Sequence, residues 1–135
     1  VSTRSKTLLI ALCAWTVFVW GNRIANAWSS TTETTSAKVI STLLAASFLA
    51  LAAGGVVVLA RSWARPVTQA ARNFLTAFAA WTVAVWCVRI VGIGLADHGA
   101  GFKVVHVVLG LISMGLAVAV VRSVRDTASR VSTAA

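Results

Sequence analysis

Two arginines stand where arginine is costly. Residues 14–24 read AWTVFVWGNRI and residues 80–90 read AWTVAVWCVRI, so Arg23 and Arg89 each follow a tryptophan, Trp20 or Trp86, by three residues near the end of an apolar run. A guanidinium in that position has two uses. Its long stem can carry the charge out to the headgroups, or its planar fork can grip a lipid phosphate or a carboxylate on a partner helix. The spacing also lets Trp20 and Arg23 meet on one helix face as a cation–π pair. With Trp15 at zero on a helical wheel, Val19 falls at about 40°, Arg23 at about 80°, Thr16 at about 100° and Trp20 at about 140°. Thr82, Val85, Trp86 and Arg89 repeat this face around Trp81. The candidate binding residues are therefore Arg23, Arg89, Trp20, Trp86, Thr16 and Thr82, with anionic lipid as the partner that suits them.

Other chemistry finds little support. His106 is the one histidine expected inside a span and His98 precedes it in a loop. A b-type haem would want two axial ligands on facing helices, and the second is missing, so no cofactor is expected. Cys13 and Cys87 lie in separate apolar runs with no CxxC spacing, which reads as two small core- or lipid-facing residues. Glu33 and Asp97 fall in loops and Asp126 in the tail. Proton-coupled antiport by small four-helix exporters needs an intramembrane carboxylate, and none is present. No nucleophile–base pair, metal cluster or phosphate loop is seen, so the chain is read as a non-enzyme without a metal.

The elements that position these residues follow from composition. The chain has 135 residues, is 59% hydrophobic and only 11% charged, with a mean hydropathy of +0.87; soluble domains carry about 25% charged residues. The net charge of +9 would suit nucleic acid in a soluble protein. Here the cations flank apolar runs, which points to lipid headgroups and to no nucleic acid. Four runs of about 20 residues, long enough to span, cover residues 7–28, 39–60, 73–95 and 102–121. Continuous apolarity marks helices rather than barrel strands, so the predicted fold is an all-α membrane protein of four transmembrane helices. No cleavable leader is expected at the start.

The 14–24 and 80–90 segments match at 8 of 11 positions, including both tryptophans and the arginine. This predicts a tandem duplication: a first helical hairpin over 1–62, a basic linker over 63–72, a second hairpin over 73–125, and a polar tail over 126–135 that frays after Asp126. Lys38-Val39 answers Lys103-Val104 and Arg61-Ser62 answers Arg122-Ser123, at intervals of 23 and 19 residues. The four-residue difference is about one helical turn. Eight cations (Arg4, Lys6, Arg61, Arg65, Arg72, Arg122, Arg125, Arg130) fall on one side and four (Lys38, Lys103, Arg23, Arg89) on the other. The positive-inside rule then puts both termini in the cytoplasm, with the hairpins parallel. Small residues at four-residue spacing, Ala46, Ala50 and Gly54, then Ser113 with Ala117 and Gly115 with Ala119, are the candidate helix-packing positions.

Each half, through WTVFVWGNRI or WTVAVWCVRI and through FKVVHVVLGLIS at the start of the fourth run, resembles a class of short two-helix membrane proteins of actinobacteria. The second run departs from that pattern, with Ser41 where the fourth has His106. The resemblance implies a hairpin unit and brings no activity with it. An excess of Arg over Lys, with abundant Ala, Val and Gly, fits a GC-rich actinobacterial genome. The expectation is a non-catalytic accessory or assembly subunit of a larger complex in the bacterial inner membrane, with other membrane-protein subunits as partners. An Mce-type envelope lipid importer or a respiratory complex are the candidate hosts. The alternative is a small lipid- or amphiphile-binding or transport protein using Arg23 and Arg89 in the outer leaflet.

Overall fold

A computed structural model describes all 135 residues. It contains four α-helices: α1 over Thr3–Ser29, α2 over Thr35–Arg61, α3 over Gln69–Leu95 and α4 over Ala100–Ala134. Three of them open on a hydroxyl cap. Ser2, Thr34 and Thr68 accept the backbone N–H of Ser5, Ala37 and Ala71, which satisfies donors that a helix start otherwise leaves unpaired. All four helices are long and apolar enough to cross a membrane. The 27-residue helices reach about 40 Å and α4 about 52 Å, against a hydrocarbon core of about 30 Å.

Each apolar run lies inside a longer helix, because helical hydrogen bonding continues past the point where hydrophobicity stops. The caps sit out in the polar flanks, so α1, α2 and α3 each begin four residues before the apolar run. Two expectations are corrected. The linker of 63–72 is shorter than foreseen, since α3 already begins at Gln69. The 126–135 tail is part of a helix: α4 runs unbroken to Ala134, and neither Gly nor Pro occurs after Gly115 to stop it.

Helix α1 packs against both α2 and α4, α3 packs against α4, and α2 and α3 barely meet. The chain alternates in direction, so the N-terminus, the α2–α3 connection and the far half of α4 share one end of the bundle. There the Ser5 and Ser123 hydroxyls share a buried hydrogen bond, and the Lys6 ammonium lies 4.4 Å from the Trp63 ring. The α1–α2 and α3–α4 loops occupy the other end.

The buried positions of α1 recur in α3 at a spacing of 66. Leu9, Leu12, Cys13, Thr16 and Trp20 are buried, and so are Leu75, Phe78, Ala79, Thr82 and Trp86. Helix α2 buries Ala45, Phe48, Ala52 and Gly55, and α4 buries Gly110, Ser113, Ala117 and Val120 at a spacing of 65. Two indoles tie opposite halves together. Trp15 Nε1 donates to Ser113 Oγ at 2.9 Å, and Trp81 Nε1 donates to Ser47 Oγ at 3.1 Å. Outside this core the helices expose large apolar side chains along their length, among them Ile40, Leu43, Val88 and Leu111. Water would penalise that surface, and hydrocarbon accepts it.

The small-residue rows are only partly those read from spacing. Ser113 and Ala117 are buried, but Ala46, Ala50 and Gly115 face outward and Ala119 is half-buried. The close approaches occur at Gly54, as expected from the spacing, and at Gly55 and Gly110. A Cβ on Gly55 would stand 2.7 Å from Cys13 Sγ, and one on Gly110 would stand 2.7 Å from Ile90 Cδ1 and 2.8 Å from Trp86 Cε3. Gly54 is half-buried against the Phe74 ring across the α2–α3 gap. A step of one residue turns the face by 100°, so a row of alanines at the right spacing can still point to lipid while its neighbour row points inward.

Candidate anion-binding cleft

At the loop end the two hairpins leave an open cleft of about 570 Å³. Arg23 and Arg89 both line it, with Trp20, Trp86 and Glu33 beside them and His98 and His106 on the α4 side. The duplicated arginines thus converge on one space from different helices. Their surroundings differ.

Arg23 is engaged. Its Nη2 donates to Glu33 Oε1 at 3.1 Å and to Ser41 Oγ at 2.8 Å. The Arg23–Glu33 contact is the chain's one ion pair, with each side chain 28% exposed. Glu33 is brought there by the α1–α2 loop. Ser30 Oγ accepts the backbone N–H of Thr32 and of Glu33, a local turn that needs neither Gly nor Pro and that folds the carboxylate back over α1.

Arg89 has no carboxylate partner. Its guanidinium lies 5.6 Å from the Trp20 ring and 5.7 Å from the Trp86 ring. This corrects the expected Trp20–Arg23 cation–π pair: Trp20 receives the arginine of the other half, while Arg23 turns to Glu33 and Ser41. The three-residue pairing forms only in the second copy, between Trp86 and Arg89. Trp20 in turn stacks on Phe48 of α2, with centroids 4.2 Å apart and planes at 7°, and tilts against Trp86 at 6.1 Å. The arginine platform is therefore anchored in the core.

Thr16 and Thr82 do not join the site. Both are buried between helices, and Thr82 Oγ1 is spent on the Phe78 carbonyl at 2.8 Å. Residues that sequence spacing did not single out take their place. Glu33 was legible only as a loop carboxylate, and its return to Arg23 depends on the loop. His106 Nδ1 lies 2.8 Å from the Phe102 carbonyl. The Phe102 ring stands 4.0 Å from that of His106 and 4.4 Å from that of His98, which makes one aromatic wall from the α3–α4 loop into the start of α4.

Four buried polar atoms lack a hydrogen-bond partner: Arg23 Nε, Arg89 Nε, Trp86 Nε1 and Glu33 Oε2. All four belong to residues lining this cleft. An unpaired buried donor or acceptor costs about 1–3 kcal/mol, more when charged, and such groups are rare in folded chains. Their concentration here makes the cleft chemically unfinished. The four atoms are three donors and one acceptor, and their residues carry two positive charges against one negative. Comparison of the chain with family models, with curated proteins and with solved structures finds no match in any of the three.

Proposed function

We propose that the protein is a non-catalytic, multi-pass protein of the bacterial inner membrane that holds an anionic group of an amphiphile in the Arg23–Arg89 cleft. The observation that carries this reading is that all four unpartnered buried polar atoms belong to residues lining one cleft, whose second arginine has no carboxylate. A phosphate or carboxylate oxygen there would complete donors that the chain leaves open. The apolar body of the ligand would lie along the exposed aliphatic face of the helices.

The fold is read as two parallel hairpin repeats with both termini cytoplasmic. The charge asymmetry supports the orientation. The recurrence of buried positions at spacings of 66 and 65 supports the duplication. The cleft then opens in the outer leaflet. The test is native mass spectrometry of the protein released from mild detergent. Wild type should retain phospholipid, and Arg23→Gln with Arg89→Gln should lose it while remaining folded. Equal retention by the double variant refutes the reading.

A second reading, an accessory or assembly subunit of a larger complex such as an Mce-type lipid importer or a respiratory assembly, is favoured by the outward row of Ala46 and Ala50. These residues are exposed, and small residues allow a foreign helix to approach closely. Ala46→Leu with Ala50→Leu should then abolish co-purification of partner subunits without unfolding the chain, and unchanged co-purification rejects that surface.

A further inference from the structure

Resting on the reading of the cleft as an anion site, the geometry points to a singly charged oxyanion that carries a hydroxyl close to its charge, as a glycerol phosphodiester does. Two features of the site select this class.

The first is charge. Arg23 and Arg89 supply two positive charges and Glu33 one negative. The excess is one positive charge. A phosphodiester monoanion brings the cleft to neutrality. A zwitterionic headgroup leaves the excess in place.

The second is the kind of group left unpaired. Arg23 Nε, Arg89 Nε and Trp86 Nε1 are donors that need oxygen acceptors, whereas Glu33 Oε2 is an acceptor that needs a donor. A bare oxyanion answers the first three and repels the fourth. A hydroxyl beside the oxyanion answers Glu33 without adding charge. The Arg23–Glu33 contact itself is made through one nitrogen and one oxygen only, although both groups are built for a two-bond fork. Arg23 Nε and Glu33 Oε2 are the halves left over, and the ligand would occupy both. Trp86, 2% exposed, is fixed in the core, so its indole donor is a positioned group and not a mobile one.

The chemistry can reach the cleft as a membrane lipid headgroup or as the same diester free in water, and the test separates them. Purified wild-type protein is placed in nanodiscs of phosphatidylcholine doped with one of three lipids of equal acyl chains: phosphatidylglycerol, phosphatidylethanol or phosphatidylethanolamine. The first has the diester and hydroxyls, the second the diester alone, the third a compensating ammonium. Bound lipid is counted by native mass spectrometry. Phosphatidylglycerol should exceed phosphatidylethanol by about tenfold, the worth of one hydrogen bond to a charged group, and should exceed phosphatidylethanolamine as well.

Glu33→Gln should reduce the phosphatidylglycerol-to-phosphatidylethanol ratio several-fold, with both lipids still bound. Arg89→Gln, and as a milder change Arg89→Lys, should weaken both together. Competition by soluble glycerophosphoglycerol with lipid retention unaffected by acyl chain length would identify the free diester as the ligand, and no competition would identify the lipid. Equal binding of phosphatidylglycerol and phosphatidylethanol to wild type overturns the hydroxyl-bearing class while leaving the anion site intact. Binding of all three lipids insensitive to Arg89→Gln overturns the anion site itself.

Discussion

The two halves carry the same arginine on the same helix face and give it different work. In the first half, a nine-residue polar stretch between the apolar runs, SSTTETTSA, brings Glu33 back onto Arg23. In the second, the shorter ADHGAG stretch places Asp97 out in solvent, and Arg89 is left over the Trp20 and Trp86 rings with no carboxylate. The partners on the second helix differ as well: Phe48 stacks on Trp20, whereas Gly110 makes room for Trp86. A repeated motif thus fixes a direction and a charge, and the loop and the facing helix decide whether that charge is spent inside the chain or offered outward.

The largest expected effect tests whether the halves share one orientation. In a Cys87→Ala background, cysteine at Ser30 and cysteine at Gly99 should both react with a membrane-impermeant thiol reagent applied from outside the inner membrane, and cysteine at Thr68 should stay unlabelled. If Ser30 and Gly99 label from opposite sides, the parallel arrangement is wrong.

Next in size are the close approaches. Gly55→Leu and Gly110→Leu should each cost about 1–3 kcal/mol or more through overpacking, because Cys13 and the buried Trp86 have little room to retreat. Protein accumulation and thermal aggregation in detergent would report this. Gly115→Leu, whose Cβ meets nothing within 4 Å, should leave the chain intact. Gly54→Leu meets only the Phe74 ring, which can swing, and should fall between them. A Gly115 variant as damaging as the Gly110 variant would mean that the outward face is also covered.

A smaller, sharper contrast concerns the arginines. Arg89→Gln should reduce anionic lipid retention about tenfold, consistent with one charged hydrogen bond, and Arg23→Gln should reduce it less, since Glu33 already engages that group. The double change Arg23→Lys with Arg89→Lys should weaken retention more than either single change, because an ammonium lacks the fork. Equal losses from the two single Gln variants would show that the halves are functionally alike despite their different partners. A double Lys variant that behaves as wild type would leave snorkelling as the whole role of both.

The smallest effect concerns the crossed indole bonds. Ser47→Ala and Ser113→Ala should each destabilise by roughly 0.6 kcal/mol, the average for a hydrogen bond between membrane helices, measured by unfolding in mixed micelles. Each serine also donates to a carbonyl of its own helix, Leu44 for Ser47 and Leu109 for Ser113, so a much larger loss at Ser113 would mark the second half as the more tightly built.

Sequence alone determined the number of helices, their apolar character and the pairing of Arg23 with Arg89 at one end, because length, hydropathy and charge placement along a helix are one-dimensional properties. It also fixed which residues share a face, since each residue turns the helix by 100°. Tertiary structure decided which of those faces meets which neighbour. It put Gly55 and Gly110 inside while turning Ala46, Ala50 and Gly115 outward, and it moved the cation–π contact of Trp20 from Arg23 to Arg89. It also closed Glu33 onto Arg23 and left four polar atoms of one cleft unpaired. Helical spacing constrains angles within an element but not the rotation of that element against another, nor the path of a loop without Gly or Pro. In the folded bundle the rotations are those at which the indole of Trp20 stacks on Phe48 and that of Trp86 lies against Gly110.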